Sequence, residues 1–145
     1  MVPSTGYNKT RTAVFISGTG SNLKSLIKFS RTTKSPISID FIISNNPKAK
    51  GLNYAKKFKI KKKVLNFENK ILGEKNLLSV LKIKNIDMIC LAGFMKILSG
   101  NFIKKFKGKI LNIHPSLLPK YKGLNTHERA LNNKEKYTQD VLFIM

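Results

Sequence analysis

The apolar residues of this chain fall into two alternating patterns. Short, mainly apolar runs, typical of buried strands, occur at residues 13–16, 37–43, 64–67, 87–92 and 109–113. Between them, apolar residues recur at helical spacing and predict helices at residues 23–29, 52–58, 77–83 and 97–106. Strands that alternate with helices in this way are typical of crossover connections between parallel strands. The sequence therefore predicts an α/β fold of Rossmann-like type with a mainly parallel sheet.

The segment after the first predicted strand can bind a phosphate group. It reads Ser-Gly-Thr-Gly-Ser-Asn over residues 17–22, and its glycines let the backbone turn tightly and approach a ligand. Ligands of parallel α/β sheets lie at the carboxyl ends of the strands. We expect Ser21 or Asn22 to cap the next helix, whose free backbone N–H groups then face the phosphate. The segment lacks the third glycine of the dinucleotide-binding pattern, so an ordinary strand-to-helix turn remains an alternative interpretation.

Two further strand ends carry candidate residues. Strand alternation places Asn112 and His114 on one face of the last predicted strand, at its carboxyl end. An amide donates to a developing oxyanion, and an imidazole donates or shuttles a proton near neutral pH. The alternative is a histidine whose hydrogen bonds are satisfied by its neighbours. Residues 91–98 leave a buried strand through Gly93 into an apolar loop, which is either part of the core or a slot for a flat aromatic ligand.

Length and composition narrow the class of protein. The 145 residues suit a single domain, and we expect residues 1–10 to be a disordered extension and residues 11–145 to form the domain. No apolar run approaches the roughly 18 residues of a membrane span, and the polar start lacks the apolar centre of a secretory signal. Cys90 has no second cysteine with which to form an internal disulfide. These features predict a cytoplasmic protein.

The net charge of +21 is open to two interpretations. Only three of the 28 basic residues are arginines, and Lys, Asn and Ile, all served by A/T-rich codons, are abundant throughout. The lysines are spread along the chain, with few aromatic residues among them on which bases could stack. We therefore favour genome composition as the cause, with a basic nucleic-acid-binding module as the alternative. A basic surface also steers anionic substrates toward the protein.

Four segments of the chain, in this order, resemble those of the glycinamide ribonucleotide formyltransferases. The resemblance extends over about residues 13–137 and is carried by residues 16–23, 43–52, 91–99 and 111–131. It implies a formyltransferase fold and an enzyme of purine synthesis whose co-substrate is 10-formyltetrahydrofolate. The loop at residues 17–22 separates this family from the related enzymes that formylate initiator tRNA, which have a different loop there and a second domain.

The resemblance also implies roles for individual residues. The phosphate of the substrate, phosphoribosylglycinamide, would be bound by Gly20, Ser21 and Asn22. The folate site would be lined by Met95, Lys96, Ile97, Leu98 and Asn112. The family usually has arginine at the position of Lys96. Asn112 and His114 would be catalytic and would stabilise the oxyanion that forms when the substrate amine attacks the formyl carbon. An Asp partners the histidine in the family, and no metal is needed; the sequence shows no cluster of metal ligands.

The sequence departs from the family after Thr138. The family continues with a Gly-Cys-Thr-Val-His-Phe-like strand and an Asp-x-Gly segment that holds the catalytic Asp, whereas residues 139–145 read Gln-Asp-Val-Leu-Phe-Ile-Met. Codons exist for this tail that spell Gly-Cys-Thr-Val-His when read two bases further on. Our hypothesis is a two-base insertion, which is either a frameshift in the gene or an error in the sequence. We expect a C-terminally truncated chain without the last strand(s) and C-terminal helix, with an unpaired sheet edge, low stability and little or no activity. A non-catalytic fragment that binds the ribotide is the alternative, and the oligomeric state is not predicted.

Overall fold

A single sheet forms the centre of the protein, whose computed structural model describes residues 8–114 and 141–144. The strands are β1 (Thr10–Ile16), β2 (Ile37–Ser44), β3 (Lys61–Val64), β4 (Met88–Leu91), β5 (Lys109–His114) and β6 (Val141–Ile144). The helices are α1 (Ser21–Ser30), α2 (Leu52–Lys57), α3 (Lys70–Ile83) and α4 (Gly100–Lys105). Of His114 and residues 141–144, only the backbone is described.

The order of the strands creates a crevice at the centre of the sheet. The order is β3-β2-β1-β4-β5-β6, in which β1 to β5 pair in parallel and β6 is antiparallel to β5. The predicted α/β fold with a mainly parallel sheet is confirmed. The chain builds outward from β1 to β3 and then returns to add β4 on the other side of β1. At such a reversal the loops after the two central strands part, which leaves room for a ligand at the ends of β1 and β4.

Helices cover both faces of the sheet. Side chains along β1 alternate between the faces, so that Val14 and Ile16 pack against Leu23 of α1. Phe15, between them, packs on the opposite face against Leu77 of α3. All five side chains are fully buried. A strand that is buried on both faces has no polar face, and this explains the continuous apolar run at residues 13–16.

The folded body begins before the predicted boundary between residues 10 and 11. Thr10 is the first residue of β1, and its N–H donates to the carbonyl of Pro36 over 2.8 Å. The ammonium of Lys9 donates to the carbonyl of Ser30 at the end of α1, over 2.7 Å. Main-chain hydrogen bonds extend β1 to the polar residues 10–12, and a pattern of apolar residues does not reveal this extension. Residues 1–7 of the predicted extension lie outside the described residues.

The third strand lies at Lys61–Val64, and its prediction at residues 64–67 is wrong. All four side chains of β3 are exposed, because β3 is the edge of the described sheet next to β2. Leu65 and Phe67 follow the strand and are buried in the core. The apolar pattern marks the residues that enter the core, whereas the strand itself is set by main-chain pairing with β2.

The tail that departs from the family forms the strand β6. Its four residues pair antiparallel with the end of β5, with Leu111 opposite Ile144 and His114 opposite Val141. This tail therefore pairs with β5, where the sequence suggested an unpaired edge. An edge strand needs main-chain pairing with one neighbour, which β5 provides here, and residue types that favour strands, which Val-Leu-Phe-Ile contains.

Candidate active site

The start of α1 is an uncapped helix N-terminus that faces the crevice. Gly20 is its N-cap residue in the left-handed conformation (φ 76°, ψ 27°), and no described side chain caps the helix. Ser21 and Asn22 lie inside the first turn, so the prediction that one of them is the cap is wrong. The first N–H groups of a helix have no acceptor within it and attract anions together with the helix dipole. The first turn also contains no acidic side chain.

The turn at Gly20 is held by close contact with a second loop. The N–H of Gly51, which precedes α2, donates to the carbonyl of Gly18 over 2.9 Å. A Cβ on Gly20 would lie 2.7 Å from the Cα of Gly51, and a Cβ on Gly51 would lie 3.0 Å from the Cα of Gly20. Gly20 therefore requires glycine for this backbone contact, and a side chain at position 51 would need its neighbours to shift. Sequence reasoning missed the role of Gly51, although a glycine directly before a predicted helix was visible.

The hydroxyl of Ser17 connects the ends of three strands. It donates to Asn45 Oδ1, which follows β2, over 2.5 Å, and it accepts from the N–H of Met95, which follows β4, over 2.8 Å. Asn46 Nδ2 donates to the carbonyl oxygen of Ser17 over 3.1 Å. Ser17 itself follows β1 and is buried. Sequence reasoning missed this connection, since its partners are far apart in the chain.

The loop after β4 presents apolar side chains at its tip. Met95 and Ile97 are 50% and 76% exposed, which is unusual for side chains of this size, and Lys96 is exposed between them. Leu98 points the other way and is buried in the core. Phe94 holds the base of the loop, because its ring packs edge-on against the rings of Phe15 and Phe67 at 5.4 and 5.7 Å.

The far end of the same loop is held by a buried carboxylate. Glu74 of α3 is only 7% exposed and accepts two hydrogen bonds from Ser99, one from its N–H (2.7 Å) and one from its hydroxyl (2.5 Å). The hydroxyl of Ser99 in turn caps α4 by accepting from the N–H of Phe102 over 3.1 Å. The loop is therefore fixed near both ends, and its apolar tip lies between the two fixed points.

Two cavities flank the contact between Ser17 and Met95. The first, about 340 Å³, is lined by residues 17–22 together with Ala92, Gly93 and Met95. The second, about 420 Å³, is lined by Ser17, Asn45, Asn46, Asn66, Phe67, Glu68, Met95 and Lys96. The structure thus brings Gly20, Ser21 and Asn22, predicted for phosphate, together with Met95, predicted for the folate.

Asn112 lies at the end of β5, beside the crevice. It is in register with Leu91 of β4, which is in register with Phe15 of β1. Two strand spacings, about 10 Å, therefore separate Asn112 from the end of β1. Leu111 and Ile113 pack on the face that α1 covers, so the half-buried Asn112 lies on the opposite face. The backbone of His114 continues β5 toward the carboxyl edge of the sheet.

Cys90 behaves as a small apolar residue of β4. It is 4% exposed and packs with Val14 and Leu23. Burial raises the pKa of the Cys90 thiol to about 11, so the thiol stays protonated at neutral pH and is a poor nucleophile. Within residues 8–114 and 141–144, no group of three or more His, Cys, Asp or Glu residues could hold a metal ion. None of the described helices combines the length and the apolar character needed to span a membrane.

Most of the chain, residues 10–140, matches the family model described as formyl transferase. The chain belongs to the formyl transferase family. The trifunctional purine biosynthetic protein adenosine-3 of Homo sapiens is 49% identical over 126 residues, which make up 85% of this chain and 12% of that protein. Phosphoribosylglycinamide formyltransferase of Escherichia coli (strain K12) is 39% identical over 135 residues, 90% of this chain and 64% of that protein. The chain thus spans less than two thirds of the length of these relatives.

Solved structures of the family share this fold. The crystal structure of phosphoribosylglycinamide formyltransferase from Anaplasma phagocytophilum has a TM-score of 0.85 at 41% identity, and the match covers 94% of this chain and 64% of that one. The enzyme of the same name from Brucella melitensis has a TM-score of 0.83 at 35% identity, with 94% and 81% covered. The resemblance to the glycinamide ribonucleotide formyltransferases is confirmed.

Proposed function

We propose that this formyl transferase family member binds phosphoribosylglycinamide and 10-formyltetrahydrofolate and transfers the formyl group to the glycine amine, as a cytoplasmic step of purine synthesis. The observation that carries the proposal is the cavity in which the uncapped start of α1 adjoins the loop after β4. An anionic group and a flat apolar ring need different surfaces, and this cavity offers both side by side.

The phosphate of the ribotide fits the start of α1. The backbone N–H groups of Ser21 and Asn22 lie in the first helical turn, and the Ser21 hydroxyl and Asn22 amide add further donors. The positive φ of Gly20 turns the chain into the helix, and the missing side chain of Gly20 makes room for the backbone of Gly51. The net charge of +21 attracts a dianionic substrate over a longer range.

The folate fits the loop after β4. Met95 and Ile97 expose apolar surface against which a pteridine ring can pack, and the ammonium of Lys96 is suited to an anionic group of the same molecule. Lys96 in place of the family's arginine keeps the charge but removes the bidentate donor geometry. The side chain of Leu98 is buried in the core, so Leu98 would line the folate site with its backbone.

In the proposed chemical step, Asn112 and His114 act on the formyl group from the carboxyl end of β5. The amine nitrogen attacks the formyl carbon, the new C–N bond forms, and the carbonyl electrons move to an oxyanion that the Asn112 amide and His114 stabilise by donating hydrogen bonds. The bond between the formyl carbon and folate N10 then breaks. The attacking nitrogen loses one proton and N10 gains one, through water. Holding both substrates at neighbouring strand ends supplies further acceleration.

The test is formyl transfer by the purified 145-residue chain. Formylated ribotide is quantified by mass spectrometry, and binding of each substrate is measured by calorimetry. We expect Asn112→Leu, which keeps the size but removes the donor, to lower kcat about 10²–10³-fold. Asn76→Leu, at an exposed position of α3, is the matched control and should leave kcat unchanged. Unchanged turnover of Asn112→Leu would remove Asn112 from the proposed mechanism.

A non-catalytic ribotide-binding protein is the second candidate. It is favoured by the sequence of residues 139–145, which does not contain the Asp-x-Gly segment that partners the histidine in the resembling family. This candidate predicts ribotide binding without formyl transfer. Binding of neither substrate would contradict both candidates.

A further inference from the structure

The contact between Ser17 and Met95 is a directed chain of hydrogen bonds. Ser17 has a single hydroxyl proton, which it donates to Asn45 Oδ1, and its oxygen accepts from the N–H of Met95. The carbonyl of Ser17 is fixed separately by Asn46 Nδ2. Loss of the hydroxyl would leave a partly buried N–H and an amide oxygen without this partner.

This contact fixes the backbone of the loop after β4 relative to the end of β1. The packing of Phe94 holds one end of the loop and the bonds from Ser99 to Glu74 hold the other. Between these ends, the Met95 N–H donates to the hydroxyl of Ser17, the residue that follows β1. Ser17 and Met95 both line the cavity at the start of α1 and the cavity next to Lys96. The bond therefore lies on the wall that the two cavities share.

We infer that Ser17 is a positioning residue that sets the affinity for the folate co-substrate through the backbone of Met95. The inference rests on the proposed function. The Ser17 hydroxyl donates its only proton to Asn45 and accepts from Met95, so it acts on the loop through these two bonds and has no proton left to donate to a substrate. Ser17 also directly precedes Gly18, so the loop that faces the ribotide phosphate and the loop that faces the folate share one fixed point.

The experiment compares Ser17→Ala with the parent chain in two calorimetric titrations. We expect the Kd for 10-formyltetrahydrofolate to rise about tenfold, equivalent to about 1.4 kcal/mol, because the Met95 N–H loses its bond to the Ser17 hydroxyl. The Kd for phosphoribosylglycinamide should change less than about threefold, because the helix N–H groups of α1 are untouched. A substitution that only weakened the fold would raise both constants together. Equal rises, or an unchanged folate Kd, would overturn the inference.

Two further variants sharpen the result. Ser79→Ala, whose hydroxyl bonds only to the carbonyl of Lys75 on the exposed side of α3, is the matched control and should bind both substrates as the parent does. Ser17→Ala and Asn45→Ala should not be additive, because Asn45 reaches Met95 through the Ser17 hydroxyl. Full additivity in folate binding would contradict the chain of hydrogen bonds.

Amide hydrogen exchange separates failure of the inference from failure of the proposed function. Without any ligand, Ser17→Ala should increase the exchange rate of the Met95 N–H at least tenfold while leaving the amides of α3 unchanged. A parent chain that binds no folate would refute the proposed function. Unchanged Met95 exchange in a folded Ser17→Ala variant would refute the positioning role, whether or not the folate binds.

Discussion

Replacement of Gly51 by alanine tests the backbone contact that holds the phosphate loop. The added Cβ would lie 2.6 Å from Ile16 Cδ1, 3.0 Å from Gly20 Cα and 3.2 Å from the carbonyl oxygen of Gly18. The end of the Ile16 side chain can rotate away, whereas the backbone atoms of Gly18 and Gly20 move only if the phosphate loop moves. The φ of Gly51 is −59°, which alanine adopts freely, so the substitution tests contact distance and not backbone conformation.

The expected magnitude is a balance of two terms. Overpacking of a tight site lowers the free energy of unfolding by about 1–3 kcal/mol. Alanine in place of glycine raises it by about 0.4–1 kcal/mol, because it reduces the conformational freedom of the unfolded chain. We therefore expect the free energy of unfolding to fall by about 1–2 kcal/mol, which lowers the Tm by roughly 2–8 °C. Because the displaced atoms belong to the phosphate loop, the Kd for phosphoribosylglycinamide should rise, and more than the Kd for the folate.

Urea unfolding and the two calorimetric titrations measure these effects. Gly100→Ala is the matched control, because nothing lies within 4 Å of its added Cβ at the first residue of α4, so stability should rise by about 0.5–1 kcal/mol. If Gly51→Ala is as stable as Gly100→Ala and binds the ribotide like the parent, then the contact between Gly51 and Gly20 does not shape the phosphate loop.

Three other variants test the buried carboxylate of Glu74, the buried thiol of Cys90 and the lysines of β3. Glu74→Gln should lower the free energy of unfolding by about 1–3 kcal/mol, because an amide has one acceptor atom for the two donors of Ser99. Glu68→Gln, at an exposed position, is the control and should leave the free energy of unfolding unchanged; urea titrations measure both. Because the folded-state pKa of Cys90 is raised to about 11, its contribution to stability is complete below pH 9 and is lost as the pH rises toward 11; Cys90→Ala should flatten that part of the stability profile. Replacing the lysines at 61–63 by glutamine should change stability by less than about 0.5 kcal/mol. We expect the protein to bind no RNA at about 0.15 M salt. If it is instead a nucleic-acid-binding module, it will bind RNA with a steep dependence on salt, and the triple variant will bind more weakly.

Continuous apolar runs located the strands that enter the core but not the strand at the edge. β2, β4 and β5 lie where the sequence predicted them, because buried neighbours cover these strands and leave an apolar signature. β3 carries three exposed lysines and therefore has no such signature, and the apolar residues beside it belong to the core that follows. β6 is also an apolar run, Val-Leu-Phe-Ile, but the departure of the tail from the family led us to expect a truncated chain instead of a strand there.

The parts of the candidate site that could be predicted are those that a short stretch of sequence identifies. Gly20 and Asn112 lie at strand ends that the pattern identifies, and the fold brings those ends to one edge of the sheet. The bond from Met95 to Ser17 joins residues that are 78 positions apart, and no local pattern contains such a pair. The capping of α1 by a glycine in the left-handed conformation is likewise set by the contact with Gly51, which depends on the tertiary structure.

The exposed lysines of β3 also determine how this protein behaves beside copies of itself. The open edge of a sheet offers unpaired main-chain groups on which a second molecule can add a strand, and this is a common route to aggregation. Lys61, Lys62 and Lys63 place three like charges along the strand, so that two such edges repel each other. The positive charge of this part of the sheet thus lies on its exposed edge, while the central strands consist largely of Val, Ile and Phe.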